Sequence, residues 1–174
     1  MRFFVSGEHY RKALLNTCIL LFLGYLVLFA VSAALMYFEH MDLTPASVVA
    51  YYLGDEDEFR PPRSYQSLLE VSHFHLFAQG MLAMTLVHLL LMTELPVGLK
   101  IGLGGLCFFS AVANEAAGWL VHFVHPAFAW LKVGTFLALE GSLILLVLSI
   151  AWSLLRPANR PRPWHRAGRY RVKD

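Results

Sequence analysis

Charge and cysteine are both scarce in this chain. Asp, Glu, Lys and Arg make up 15% of its 174 residues, and 57% are hydrophobic. Soluble domains carry roughly 25% charged residues, so the balance excludes an ordinary water-soluble fold. The two cysteines, Cys18 and Cys107, each sit inside an apolar run. That leaves no disulfide framework, no thiolate-rich metal site and no CxxCH attachment for a covalent haem. Glycine-rich phosphate loops and the HExxH signature are also missing, and Ser, His and Asp form no recognisable nucleophile pattern. Nucleotide hydrolysis, zinc proteolysis and serine hydrolysis are therefore not expected.

Long apolar runs are what the sequence has in abundance. They cover about 14–37, 68–92, 97–124 and 127–155, each near the roughly 20 residues that cross a bilayer. Thr93, Glu94, Leu95 and Pro96 separate the second run from the third, and His125 and Pro126 separate the third from the fourth. Connections so tight force neighbouring helices to be antiparallel. The expected fold is all-α, a single integral membrane domain forming a four-helix up-down bundle. The first run is too long for a cleavable signal peptide and has no small-residue cleavage site after it.

Basic residues orient the bundle. Arg2, Arg11 and Lys12 precede the first run, and Lys100 lies at the 93–96 hairpin. The tail 156–174 carries Arg156, Arg160, Arg162, Arg166, Arg169, Arg171 and Lys173. Loops rich in Lys and Arg stay on the cytoplasmic side, so both termini are expected in the cytoplasm of a bacterial inner membrane. The basic tail reads as an anchor at anionic lipid, not as a nucleic-acid site. The long loop 38–67 is acidic, with Asp55, Glu56, Asp57 and Glu58 in succession, and belongs outside. Within it, Thr44 as an N-cap, Pro45 in the first turn and Gly54 as a stop predict a short interfacial helix bearing Tyr51 and Tyr52. That helix would cap the bundle or serve as a platform for a substrate or partner.

Histidines gather at the outer end. His73 and His75 open the second span, and His122 and His125 close the third. His122 and His125 share a helix face, whereas His73 and His75 point in widely different directions. Imidazoles on facing helices can clamp a haem, and they can also bond loop carbonyls and headgroups. Gly80 on the second span, and Ala113, Ala116, Ala117 and Gly118 on the third, leave room for a flat macrocycle. Further in lie Asn114, Glu115, Lys132, Glu140 and His88. Charges at such depth usually face the interior, where they pair or line a pathway. Lys132 is placed to reach Glu115 as a buried ion pair, or both serve proton or quinone chemistry. Glu140 has no evident cationic partner, which suggests a neutral carboxylic acid or a station on a proton path.

The architecture together with His73, His75, His122 and His125 resembles small bacterial four-helix cytochromes of the b type. The stretch LLEVSHFHLF, residues 68–77, also looks like one found in small bacterial inner-membrane proteins. The cytochrome resemblance implies a membrane electron-transfer subunit with one haem b near the periplasmic face. His75 and His122 would be the first-choice axial ligands, with His73 and His125 as alternates. Glu115, Lys132 and Glu140 would handle quinol or protons, and a c-type cytochrome or other redox subunit would take the electrons. The chain lacks the usual paired histidines two heptads apart, so a two-haem relay across the membrane is not expected. A cofactor-free scaffold or assembly subunit, and a His-rich metal-handling protein, are the rival readings. Association into homo- or hetero-oligomers fits any of them.

Overall fold

A computed structural model describes residues 3–156, with side chains from Lys12 onward. The basic tail beyond Arg156, and the side chains of Arg2 and Arg11, lie outside the described residues. The described chain is helical: α1 (Phe3–His40), α2 (Pro45–Leu53), α3 (Tyr65–Leu91), α4 (Val97–Phe123) and α5 (Ala129–Leu155), with a 3-10 turn at Pro126–Phe128. Four of these, all but α2, are long and apolar enough to cross a membrane. The protein is an all-α membrane bundle, as its long apolar runs predict.

Local chemistry sets the helix ends. Ser64 caps α3, its side chain accepting from the Ser67 N–H at 3.2 Å, so α3 begins at Tyr65 and not at the first uninterrupted apolar residue near 68. At the other end of α3, Lys100 Nζ donates to the carbonyls of Leu91 (2.9 Å) and Thr93 (2.6 Å), which places a cation on a helix C-terminus. Thr44 caps α2 and Pro45 occupies its first turn. Gly54 ends α2 at φ 89, a conformation that favours glycine. A Cβ there would also stand 2.7 Å from the Arg60 carbonyl oxygen. Asp55 and Arg60 then exchange backbone hydrogen bonds of 2.9 and 2.8 Å, closing the acidic run into a tight loop. The α4–α5 connection is the 3-10 turn, opened by His125, whose Nδ1 accepts from the Ala127 N–H at 3.1 Å. That turn moves the start of α5 from the expected 127 to 129.

Helix α5 is the hub, touching α1, α2, α3 and α4. One core lies away from α2 and is built on Leu86, Leu90, Cys107, Leu146 and Ile150. A second lies under α2, around Val48, Tyr52, Val121, Val133 and Phe136. Small residues let the backbones approach: Gly104, Cys107, Ala111, Asn114, Gly118 and Val121 recur at alternating spacings of three and four along α4, all buried. Helix α1 leans on α5 through Leu23, Leu26 and Tyr37, and its Tyr37 ring stacks on Phe136 at 3.7 Å. Most of its remaining described side chains, such as Leu21 and Leu28, are exposed to the surroundings, which for a membrane helix means lipid. Trp130 and Trp152, near the two ends of α5, are exposed as well.

Candidate functional site

At the end of the bundle that carries α2, the antiparallel α3–α4 hairpin brings together side chains equally far from its turn at Leu95. His75 is 20 residues before Leu95 and Glu115 is 20 after it, and His75 Nδ1 meets Glu115 Oε1 at 2.8 Å. One turn toward the α2 end, Trp119 Nε1–H donates to Ser72 Oγ at 2.8 Å. Deeper in the bundle, Gly104 lies against Val87, to which a Cβ would come within 3.2 Å. The His75 side chain is 44% exposed and that of Glu115 is 8% exposed. The ring is thus open to the surroundings while its carboxylate partner is enclosed.

Lys132 is not paired with Glu115. Its Nζ donates to the Asn114 backbone carbonyl at 2.9 Å and lies 6.0 Å from the centre of the Tyr52 ring. Glu115 follows Asn114 on α4 and is buried beside it. The Asn114 side-chain oxygen is buried with no hydrogen-bond partner. Lys132, Glu115 and Asn114 therefore form a buried polar group that α2 covers. Tyr52 is its cover: burial, and then the charges of Tyr51 and Glu115, hold its phenol protonated well above the ordinary tyrosine range. Gly118 makes the space for it, since a Cβ there would lie 2.6 Å from Tyr52 Oη. The room that the small residues of α4 leave at this level is thus filled by the phenol.

The remaining histidines are separated. His122 Nδ1–H donates to the Tyr52 carbonyl oxygen at 3.0 Å, an oxygen that also accepts from the Arg63 N–H at 3.1 Å. His125 is exposed and caps the 3-10 turn; His73 and His88 are exposed. His75 engages α4 at Glu115, seven residues from His122, which on a helix is a rise of about 10 Å. The structure thus joins His75 to Glu115 and His122 to α2, and does not gather the four rings around one point. Among the described residues, no three or more His, Cys, Asp or Glu side chains group as metal ligands. Each ring of His75 and His122 is held through Nδ1 by an oxygen, which leaves Nε2 open. Metal-ligating imidazoles are commonly oriented in this way, so either Nε2 could serve as an axial haem ligand.

Glu140 stands apart from this group. It lines a cleft of about 480 Å³ between α1, α3 and α5, and no hydrogen bond or ion pair engages it among the described residues. The Ser72–Trp119 and His75–Glu115 contacts had a legible signal in the hairpin, whose turn fixes which residues stand opposite. The seat of Tyr52 against Gly118 had none, because it depends on how α2 folds back over α4.

These features define a class: a helical membrane domain of four spans, with an amphipathic helix laid across one end over buried polar groups. Residues 42–161 match the model of the Aq_1264_TM family, a transmembrane helical domain, and the chain belongs to that family. The matched residues start just before α2 and take in α2 to α5, with α1 ahead of them. Searches of curated proteins and of solved structures found no match.

Proposed function

We propose that this chain is the membrane subunit of an electron-transfer complex and acts on quinol at the outer side of a bacterial inner membrane. The observation that carries this reading is the His75–Glu115 pair, a lipid-accessible imidazole backed by an enclosed carboxylate. Oxidation of a quinol releases two protons and two electrons. His75 Nε2 accepts one proton from a quinol hydroxyl, Glu115 stabilises the imidazolium through Nδ1, and the second proton passes to water at the outer face. Tyr52 and α2 shield the carboxylate from water on the other side. Lys132 holds the adjoining backbone and balances charge when Glu115 is ionised. The electrons pass to a redox partner, a c-type cytochrome or neighbouring subunit; were haem b the relay, His122, whose Nε2 takes no part in the proton transfer, would be the ring to hold it. The basic residues at the far end of the bundle and the acidic loop beside α2 support an orientation with both termini in the cytoplasm. Homo- or hetero-oligomers would bring the partner into reach.

The test is quinol oxidation by the purified complex, together with its reduced-minus-oxidised absorption spectrum. His75→Ala and Glu115→Gln are expected to slow turnover by about 100-fold, the size of a lost acid–base group. Unchanged turnover in both variants would overturn the reading.

A second reading is a cofactor-free scaffold. It is favoured by the bonds of His122 and His125, both of which fasten the fold itself. It predicts that substitution of His122 releases partner subunits without altering any redox spectrum. A His-rich metal-handling protein, the third reading, would show itself by a metal co-purifying in stoichiometric amount.

A further inference from the structure

The cleft between α1, α3 and α5 is walled by Ala30 and Ala34 of α1, Leu82 and Leu86 of α3, and Phe136 of α5, with Glu140 as its one ionisable group. On α5, Glu140 lies ten residues from Trp130 and twelve from Trp152. At 1.5 Å per residue that is about 15 and 18 Å, the middle of a hydrocarbon core roughly 30 Å thick. A carboxyl group at that depth is costly without a partner, and none of the described residues bonds to it. A hydrogen-bonding group carried by a molecule dissolved in the bilayer would offset that cost.

The volume decides what kind. About 480 Å³ falls within the usual range of small-ligand pockets. It is well below the roughly 1,700 Å³ that four turns of a helix about 10 Å across would occupy, so a helix would enter it only by side chains, whereas a lipid chain enters whole. Phospholipids keep their headgroups at the interface, out of reach of Glu140. We propose that the cleft binds a neutral, chain-bearing lipid whose hydroxyl or carbonyl lies at mid-membrane and hydrogen-bonds Glu140. The small side chains of Ala30 and Ala34 make the channel for its chain. Two sources share that chemistry, a long-chain alcohol and a prenyl quinone, and the proposal does not rest on the His75–Glu115 reading.

The test uses the full chain in phosphatidylcholine nanodiscs with three photoreactive probes of matched length: a long-chain alcohol, a prenyl benzoquinone and a headless alkane. Labelled peptides are mapped by mass spectrometry. Labelling by at least one headed probe is expected to concentrate on 30–34 and 82–86, exceeding the alkane by about tenfold, the scale of one buried hydrogen bond. Whichever headed probe labels more strongly identifies the source. Glu140→Leu should abolish that preference, Glu140→Gln should keep most of it, and Ala34→Phe should block labelling by every probe. Should Glu140→Leu fail to fold, the headless comparison and Ala34→Phe still decide. Equal labelling by headed and headless probes, indifference to Ala34→Phe, or labels spread evenly around the lipid-facing surface would overturn the proposal. His75→Ala should leave the labelling unchanged, so failure of the quinol chemistry and failure of the cleft are read separately.

Discussion

The closest approach between α2 and the bundle depends on a missing side chain. Because a Cβ on Gly118 would stand 2.6 Å from Tyr52 Oη, Gly118→Ala must push the phenol out of its seat. The expected cost is about 1–3 kcal/mol, the usual scale for overpacking, measured as loss of stability in detergent unfolding. Trimming the ring as well, with Tyr52→Ala, should make the glycine substitution nearly silent. The Trp119–Ser72 hydrogen bond is a quieter case. A double-mutant cycle with Trp119→Phe and Ser72→Ala is expected to return a coupling of about 0.6 kcal/mol, since the unfolded chain in a membrane also finds partners for its polar groups. A coupling near zero would mean that the indole and hydroxyl do not meet.

Among the elements, α2 depends most on its cap. The Thr44 N–H and hydroxyl both donate to Asp42 Oδ1. The Thr44 hydroxyl, then Ser47 and the Thr44 backbone, hold the Asp42 carboxyl below the ordinary aspartate range. A depressed value means that the ionised form stabilises the fold. That contribution is present above the unfolded value of about 3.9 and is lost as pH falls through the lower folded value. Asp42→Asn should therefore melt earlier than the native chain at about pH 6, with the difference shrinking as pH falls below about 3.9 and vanishing once the folded carboxyl is protonated. Thr44→Ala should cost about 1 kcal/mol for the lost N-cap and more at about pH 6 than in acid, because the same hydroxyl donates to the Asp42 carboxylate.

The same element shows how much the sequence discloses. Thr44, Pro45 and Gly54 mark α2 closely because capping is local chemistry, written in adjacent residues. The bundle itself is equally legible, since lipid demands long apolar helices and short turns force them antiparallel. The partner of Glu115 was legible from the hairpin turn and not from depth along the helices. Lys132 stands at a plausible depth on α5, yet the α3–α4 turn sets His75 directly opposite and the carboxylate goes there. Pairing across α4 and α5 depends on the 3-10 turn at Pro126, which shifts α5 along its axis and brings Lys132 to a backbone carbonyl. The cleft beside Glu140 was invisible for a related reason. It is a space left by how α1 leans on α5, and no run of residues encodes a gap.

On the scale of the whole molecule, α1 precedes the residues that match the family and holds to them chiefly through α5. A chain begun at Met41 should still insert α2 to α5 and keep His75 against Glu115, while losing one wall of the Glu140 cleft. Photolabelling at 82–86 would then lose its preference for the headed probes. Orientation is testable in the full chain. With Cys18 and Cys107 replaced, a cysteine at Asp57 should react with an impermeant maleimide added outside intact cells, and one at Lys100 should not. The reverse pattern would turn the bundle over and remove the periplasmic assignment of His75.

Trp130 and Trp152 face outward from α5 at positions 22 residues apart, which along a helix is about 33 Å. Indole rings settle where hydrocarbon gives way to headgroups, so this pair works as a ruler cut for a bilayer of ordinary thickness. In short-chain lipids the ruler must slant. Since α5 borders every other helix, a slant would be passed to both the imidazole–carboxylate pair and the cleft, making membrane thickness a variable that sets the geometry of the two sites together.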